Sequence, residues 1–488
     1  MGAKRTEFSD LLVPANFIQA VRDSGYLSIA TAVAELIDNS IQASAREIEI
    51  SISRPTADSL PTVSVSDDGL GMSASELADC LKFGGSRRFN DRTSLGRFGV
   101  GLPAASLSQA RRIRVSTWRD GQQALAVNLD VDALIAGAVL DLAPRRIPFP
   151  TDEHTPSGTR VDWELCDRID YKRLSWFERA LSRDLGRIFR TFLFDGLVVK
   201  INNLTIPAVD PLMKSVAING STSSLAFPPK TYELSVGNGG ATSMVTVRFV
   251  ELPVARWHNL DARSKKEHRI VGGAGVSILR AGREISFGWH LMGSKRKENY
   301  DDWWRCEIEF EPPLDEMFGI SNNKQGIRPT RALKEALEPE LESIARLLNS
   351  RVRKAFDLAK FEAASDRSCR IAERVDERLP VIGNIAARSS LRYRLTTSAT
   401  TSPDMMRSTI DKGTLELSLN TDHPAFRALF EPLQGASSAD LSGLRTSVEL
   451  LLLSFARSRI LVESGDQAQR RDLLAIWSDA YGRMVQEI

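Results

Sequence analysis

ELIDNSIQA, residues 35–43, is the stretch from which the fold can be predicted. Glu35 and Asn39 are four positions apart, so on a helix they project from one face, about one turn from each other. A carboxylate beside an amide can divide two tasks, because the carboxylate can take a proton from an attacking water while the amide oxygen ligates magnesium. An ordinary amphipathic helix with two solvated polar groups explains the same pattern. The motif therefore gains meaning from two further motifs on its C-terminal side.

A second motif, VSVSDDGLGM, occupies residues 63–72. Its alternating valines predict a strand that ends at Asp67, and Gly69 and Gly71 permit a tight turn whose backbone can approach a ligand. A carboxylate at a strand end can accept the exocyclic amino group of adenine, whereas guanine presents a carbonyl at that position. An ordinary Asp-Gly turn is the alternative.

A third motif, GRFGVGLPAAS at residues 96–106, places three glycines before a short helix rich in alanine and serine. Backbone N–H groups and the positive end of the dipole at a helix N-terminus favour phosphate. The preceding segment 83–96, FGGSRRFNDRTSLG, is polar and lacks apolar periodicity, which predicts a loop. Its Arg87 and Arg88 are either a solvated pair or phosphate contacts, and the sequence leaves both open.

In this order and spacing, the three motifs resemble the nucleotide pocket of the GHKL ATPases, the superfamily of gyrase B, MutL, the large heat-shock chaperone and the MORC proteins. The resemblance implies an α+β fold with a Bergerat α/β sandwich ATPase domain, an S5-like βαβ transducer domain and a mainly α C-terminal domain. We place these domains at 1–165, 166–363 and 364–488. The transducer likeness is carried by GVSILRAGREI and LDEMFGISNNKQGIRPT, at 275–285 and 314–330.

The resemblance also implies roles for individual residues, with ATP and Mg²⁺ as cofactors. Glu35 matches the general base, Asn39 the metal ligand and Asp67 the adenine acceptor. Segment 83–96 resembles the ATP lid, although an arginine replaces the lysine that MORC-like members carry, which leaves the role of Arg88 open. The implied nucleotide contacts are Asn39, Asp67, Gly69, Gly71, Met72, Gly85, Ser86, Gly96, Arg97, Phe98, Gly99, Val100, Gly101, Thr159 and Gln325. The Thr159 hydroxyl would bond adenine or its water.

Lys324, in SNNKQGI, matches a transducer-loop cation that contacts the terminal phosphate in the family, and it is predicted to be catalytic together with Glu35. Phosphoryl transfer places negative charge on the equatorial oxygens, so a cation from another domain would make hydrolysis depend on domain docking. A loop lysine beside two turn-forming asparagines is the simpler explanation.

Composition limits the function classes. At 488 residues with 42% hydrophobic content, the chain can form two or three cores. With 64 Lys plus Arg against 62 Asp plus Glu it is no bulk polycation, so any DNA contact must come from local patches. Four such patches are Arg111, Arg112 and Arg114; Lys265, Lys266 and Arg269; Lys295, Arg296 and Lys297; Arg351, Arg353 and Lys354. Four scattered cysteines and the absence of a signal peptide or membrane span predict a cytoplasmic protein.

The family likeness predicts an ATP-driven clamp, in which two N-terminal domains pair as a homodimer when ATP binds and separate after hydrolysis. Three modes of action for such a clamp stay open at this point. It could compact or remodel DNA in the manner of MORC proteins, in a bacterial antiviral defence setting. It could remodel a protein client like a chaperone, or act as a nucleotide sensor that recruits an effector encoded in the same operon.

Overall fold

The computed structural model describes residues 13–26, 28–56, 59–85, 99–138, 141–149, 155–169, 171, 173–236, 241–320, 326–382, 391–433, 439–464 and 473–486. The chain divides into two compact units, one of Met1–Pro253 with Leu260–Asn349 and one of Val254–Asn259 with Ser350–Ile488. Helices and mixed sheets occur together, as the predicted α+β class requires. The predicted division into three domains stays a prediction.

An eight-stranded sheet forms the first part of the first unit. Its strands are β1 (Glu47–Ser53), β2 (Thr62–Asp67), β3 (Arg112–Trp118), β4 (Leu125–Asp130), β5 (Arg145–Arg146), β6 (Gly158–Glu164), β7 (Val198–Ile201) and β8 (Leu204–Thr205). Their spatial order is β5-β4-β3-β6-β2-β1-β7-β8. Neighbours are antiparallel except β1 and β7, which pair in parallel, so the chain returns to this sheet long after leaving β6. The alternation in VVKINNLTIPAVDPLM, residues 198–213, predicts a hairpin around Asn202 and Asn203, and β7 and β8 form it.

Helices pack on this sheet and complete its core. They are α1 (Pro14–Ser24), α2 (Ile29–Gln42), α3 (Ala74–Asp79), α4 (Gly101–Gln109), α5 (Val131–Ile135), α6 (Leu174–Ile188) and α7 (Arg190–Phe194). Helix α2 begins after Ser28, whose side chain accepts a hydrogen bond from the Thr31 N–H. The apolar side chains of α2 and the alternate isoleucines of β1 share one core, which is why α2 is held firmly against the sheet.

A second sheet of six strands follows in the same unit. Its strands are β9 (Ser224–Leu225), β10 (Lys230–Val236), β11 (Ala241–Glu251), β12 (Val276–Arg280), β13 (Arg283–Gly288) and β14 (Trp304–Phe310). The order is β10-β11-β14-β12-β13, with β9 beside β11, and β12 pairs with β14 in parallel. The helices after β11 are α8 (Val254–Trp257), α9 (Ala262–Glu267), α10 (Asp315–Phe318) and α11 (Arg331–Asp376), and 3-10 turns cover Asn299–Trp303 and Pro312–Leu314.

Helix α11 differs from its prediction in two respects. It is one continuous helix through Asp376, whereas the sequence pattern predicts one helical segment from 331 to about 363 and a second, charged one at 365–379. Of the predicted apolar stripe, Leu333, Leu337, Leu341 and Leu348 are buried and Ile344 is partly buried, but Leu347 is 46% exposed. Leu347 neighbours Leu348 in sequence, and two successive helical side chains are about 100° apart, so only one of them can point into the core.

The second unit contains a three-stranded sheet and three further helices. Its elements are β15 (Arg392–Ser398), β16 (Met406–Asp411), β17 (Thr414–Asn420), α12 (Pro424–Phe430), a 3-10 turn at Glu431–Leu433, α13 (Ala439–Ser464) and α14 (Leu473–Val485). The polar composition of SSLRYRLTTSATTSPDMM, residues 389–406, predicts a loop, and this prediction is wrong because the segment contains β15. Tyr393 and Leu395 alternate with arginines and are buried, so the strand's period is carried by few apolar residues. Within the described ranges, every helix is too short or too polar to cross a membrane.

Candidate functional site

Helix α2 presents the predicted base and metal ligand beside the first sheet. Glu35 is only 4% exposed, and Asn39 is half-buried one turn further along. The Tyr26 hydroxyl donates a hydrogen bond to the Glu35 carboxylate, and burial together with this negative neighbour raises the pKa of Tyr26 far above its ordinary value. Tyr26 therefore stays a neutral donor. Sequence reasoning did not single it out, because a tyrosine nine residues before the glutamate has no distinctive spacing.

The start of α4 lies directly against Glu35. Gly99 has φ +61°, which turns the chain into the helix that begins at Gly101. A β-carbon at Gly101 would overlap the Glu35 carboxylate, so glycine is required for this approach. Val100 makes no side-chain capping hydrogen bond, and the first N–H groups of a helix have no partner within it. The geometry brings together a carboxylate and a helix N-terminus, a feature that can bind anions such as phosphate.

Asp67 ends β2 in a partly buried position with three hydrogen-bond donors. Its Oδ2 accepts from the Ser40 hydroxyl at 2.7 Å, and its Oδ1 accepts from the N–H groups of Gly69 at 3.0 Å and Thr159 at 3.2 Å. Burial raises the pKa of Asp67, and these three hydrogen bonds offset only part of that rise. Thr159 thus contacts Asp67 through its backbone N–H group. Ser40, next to Asn39 in sequence, was missed as a partner.

The turn after Asp67 is fixed by close backbone approaches. Gly71 has φ +65°, and a β-carbon there would overlap the carbonyl oxygen of Trp118. The Met72 N–H donates to the Thr117 hydroxyl at 2.8 Å, and that hydroxyl donates to the Gly158 carbonyl at 2.9 Å. The Thr117 hydroxyl therefore links the glycine turn to β6 through two hydrogen bonds. No sequence pattern indicates this role, because Thr117 lies in a strand without a distinctive motif.

Of the segment 83–96, predicted as a lid, the structure describes residues 83–85. The Gly84 N–H donates to the Gly99 carbonyl at 3.1 Å, so the start of this segment lies beside the residues that lead into α4. Gly85 is half-buried beside them. Other predicted site residues lie outside the described residues: Ser86, Gly96, Arg97, Phe98, Lys324 and Gln325, together with Arg87 and Arg88.

An ion pair connects α2 to the second sheet. The Arg283 Nε on β13 donates to the Asp38 Oδ1 at 2.8 Å, and the two side chains are 4% and 0% exposed. The next residue, Glu284, accepts from Arg190 at 2.8 Å and lies 2.7 Å from Arg187. Asp38 is inside the ELIDN motif but received no predicted role, because its partner is 245 residues away.

A known protein family matches the N-terminal part of the chain. Residues 27–157 match the family described as "Histidine kinase-, DNA gyrase B-, and HSP90-like ATPase". This stretch is therefore similar to the ATPase domains of the GHKL type. It contains α2, the Asp67 turn and the start of α4, and Gly158 and Thr159 come directly after it.

A curated relative supports the MORC-like resemblance. The chain is 29% identical over 109 residues to "ATPase morc-1" of Caenorhabditis elegans. The aligned part covers 22% of this chain, and the chain spans 12% of the length of that relative. The predicted resemblance to the GHKL superfamily and to MORC-like ATPases is confirmed.

Proposed function

We propose that this chain binds ATP with Mg²⁺, hydrolyses it to ADP and phosphate, and uses the cycle to open and close a homodimeric clamp. The observation that carries the proposal is the contact between the N-terminus of α4 and the Glu35 carboxylate. It puts a group that binds phosphate beside a group that can accept a proton. A GHKL-type domain supports ATP-linked conformational change as the general activity.

The described residues fit the nucleotide. The Asp67 carboxylate, partly buried and held by three donors, would accept the adenine amino group, and the glycine turn leaves room for backbone contact. The N-terminus of α4 would hold the phosphates. Asn39 would hold Mg²⁺, which neutralises phosphate charge when bound.

Glu35 would act as the general base. It takes a proton from water as the water oxygen bonds to the terminal phosphorus, and the bond from that phosphorus to the bridging oxygen of ADP breaks. The Tyr26 hydroxyl orients the carboxylate. Gly101 keeps the space between carboxylate and helix free of a side chain.

Lys324 is proposed to supply the cation that stabilises the charge of the transition state, on the strength of its N-K-Q context. Lys324→Ala should leave the Kd for ATP within about threefold and lower kcat by about 10²- to 10³-fold, the range for loss of one electrostatic stabiliser. Lys334→Ala, an exposed lysine on α11, is the matched control. Unchanged turnover in the first variant would remove Lys324 from the site.

DNA is the proposed object of the clamp, and the structure narrows the candidate surfaces. Lys295 is buried in an ion pair with Asp301 at 2.7 Å, so it was wrongly included among the exposed patches. Arg111 and Arg112 pair with Asp167 and Asp130. The other exposed cations of the four patches remain candidates: Arg114, Lys266, Arg269, Arg296, Lys297, Arg351, Arg353 and Lys354.

A gel shift with and without a non-hydrolysable ATP analogue tests this proposal, together with DNA stimulation of ATP hydrolysis at several salt concentrations. Binding to DNA through phosphate contacts weakens steeply as salt rises. An ATPase that neither binds DNA nor responds to it would favour a protein client or a recruited effector. The predicted cytoplasmic location stays a prediction.

A further inference from the structure

Four cations follow one another at intervals of seven residues along the part of α11 that belongs to the second unit. This cation row consists of Arg353, Lys360, Arg367 and Arg374, and all four residues are exposed. Seven residues make almost two helical turns, so each interval advances about 10.5 Å along the axis and rotates by only about 20°. The four charges therefore form a stripe about 30 Å long on one side of the helix.

The fold holds this stripe at the surface. Phe361, Ala372 and Val375, which lie on other sides of the same helix, are buried in the core of the second unit. Because these apolar side chains fix the helix, the cations are free of any part in the core, and their chemistry is available to a partner.

An open groove borders the C-terminal part of the cation row. Its volume is about 630 Å³, and Arg367, Arg370 and Arg374 line it together with the small residues Ala363 and Ala364. Small side chains leave space for a phosphodiester backbone to come within reach of the guanidinium groups, which can bind phosphate oxygens in a bidentate manner.

Most carboxylates in this part of α11 have partners outside the cation row. Five carboxylates lie between residues 350 and 376, and Asp357 is the exposed one among them that stands between Arg353 and Lys360 in sequence. The charge of the row is therefore little reduced by its own helix. The other four pairs are Glu362 with Arg394, Asp366 with Arg370, Glu373 with the Tyr393 N–H, and Asp376 with Arg457.

The surface beside the cation row favours duplex DNA over a membrane or a single strand. A helix that binds a membrane surface inserts large apolar side chains, whereas Ala363 and Ala364 are the exposed apolar residues here. Proteins that bind single strands stack bases on exposed aromatic rings, but Phe356 is half-buried and Phe361 packs against Phe430.

We propose that the cation row of α11 binds the phosphate backbone of duplex DNA, without regard to base sequence. This inference rests on the proposed action of the clamp on DNA, and it names a surface for that contact. A stripe of about 30 Å matches the length of about nine base pairs, so each cation has phosphates within reach. Lys360, Arg367 and Arg374 lie outside the four basic patches, because a spacing of seven residues leaves no cluster in the sequence.

Binding of the full chain to duplex DNA at several salt concentrations, with a non-hydrolysable ATP analogue present, tests the proposal. Each phosphate contact contributes about 0.9 to the slope of log K against log salt concentration. Loss of the row should therefore reduce the magnitude of that slope by about 3 to 4, to the same extent for duplexes of different base sequence. The variant carries glutamine, a good helix former, at all four positions: Arg353→Gln, Lys360→Gln, Arg367→Gln and Arg374→Gln.

The matched control removes the same charge elsewhere in the second unit. It also replaces three exposed arginines and one exposed lysine, so its slope should stay within about one of wild type if the contact is local to the row. A variant with lysine at the three arginine positions of the row keeps the charge and should keep the slope within about one as well. The control substitutions are Arg392→Gln, Arg407→Gln, Lys412→Gln and Arg427→Gln.

Several outcomes overturn the role of the cation row while the proposed action on DNA stands. These are an unchanged slope in the glutamine variant of the row, and an equal fall in that variant and in the matched control. If the fourfold variant is not recovered folded, the single glutamine variants should each lower the slope by about 0.9, and unchanged slopes in all of them overturn the role equally.

Two further outcomes extend beyond the row. A wild-type chain that binds phosphatidylserine vesicles in preference to duplex DNA would show that the cations serve a membrane surface. A wild-type chain that hydrolyses ATP but does not bind duplex DNA would overturn DNA as the object of the clamp, and the role of the row with it.

Discussion

Asp67 is a residue at which folding and ligand binding have opposite requirements. A carboxylate in a buried position is costly, and burial accordingly raises its pKa. The three groups that donate to it are neutral, and an amide could satisfy all of them, since its oxygen accepts from two N–H groups and its NH₂ can donate to the Ser40 hydroxyl oxygen. Only a partner such as the adenine amino group requires both oxygens to be acceptors.

Asp67→Asn should therefore weaken ATP binding by about 10- to 100-fold, which corresponds to one mispaired buried polar contact. Asp68→Asn is the control, because the Asp68 Oδ1 accepts from the N–H groups of Arg46 and Glu47 and faces away from this contact. Calorimetric titration measures both. Equal affinities in the two variants would contradict the placement of adenine at Asp67.

The same variant has a predicted effect on stability. A raised pKa in the folded state means that the ionised form of Asp67 opposes folding, and this opposition is lost as pH falls through the folded pKa. Asp67→Asn should thus have a higher Tm than wild type at pH 8 without nucleotide, and the difference should narrow on acidification. A difference that widens in acid would contradict this sign.

Gly101→Ala tests the close approach of α4 to the base. The new methyl would displace the Glu35 carboxylate, and a shift of about 1 Å at a reacting group can cost about 100-fold in rate. The overlap is with the end of a side chain, so the fold should survive. Gly443→Ala, at an open position of α13, should keep full turnover and gain about 0.5–1 kcal/mol of stability. ATP hydrolysis at the wild-type rate by Gly101→Ala would contradict the assignment of Glu35 as the general base beside the start of α4.

Sequence could indicate the residues whose chemistry is local and not those whose partners are distant. Glu35, Asn39 and Asp67 lie in short motifs whose spacing has a physical meaning. Arg283 was quoted only as part of a strand, since which of many arginines meets Asp38 depends on the path of the whole chain. Thr117 and Tyr26 were missed for the same reason.

At the scale of elements, Arg22 of α1 secures the C-terminal end of α4. Its guanidinium donates to the carbonyls of Leu107 and Ala110 at 2.9 and 2.8 Å, and to both oxygens of Asp167 at 2.7 and 2.8 Å. Cations at a helix C-terminus satisfy carbonyls that have no partner in the helix. One side chain thus fixes the helix whose other end meets Glu35.

Arg22→Met should lower the free energy of unfolding at neutral pH by about 2–4 kcal/mol, because it leaves buried acceptors without a partner. Burial would raise the pKa of Asp167, but hydrogen bonds from Arg111 and Arg22 lower it below its ordinary value. That contribution exists above the unfolded pKa and disappears as pH falls through the folded one, so the loss should shrink in acid. Denaturant unfolding at several pH values measures it.

The control is Arg168→Met, which breaks an exposed pair with Asp23. It should change stability little, since exposed ion pairs are screened by solvent. Equal losses of unfolding free energy in the two variants would contradict the expectation that the buried contacts of Arg22 stabilise the fold more than an exposed ion pair does.

The predictions of helices and strands succeeded where apolar residues recur at regular spacing. The motif helix α2, strand β2 and the hairpin of β7 and β8 follow from their patterns. The strand β15 does not, because arginines flank its two buried apolar residues and hide the alternation. Helix α11 was predicted as two helical segments, because the pattern changes from leucine-rich to charged near residue 363, but it is continuous.

At the scale of the whole molecule, the proposed clamp predicts a nucleotide-dependent change of mass. Glu35→Gln should bind ATP without hydrolysing it, and should therefore accumulate as a dimer with twice the 54.0 kDa of one chain. Size exclusion with light scattering measures this. Asp67→Asn, which should bind ATP poorly, serves as the control and should stay monomeric. A Glu35→Gln chain that remains monomeric with bound ATP would contradict the clamp.

The parallel pairing of β1 with β7 has a consequence for synthesis of the protein. About forty residues separate the end of β6 from the end of β8, and a ribosome adding roughly 5–20 residues per second needs about 2–8 s for them. During that interval β1, with its buried isoleucines, is an open edge of the growing sheet. The nascent ATPase domain therefore passes through a period in which another chain could pair with it, until its own later strand arrives.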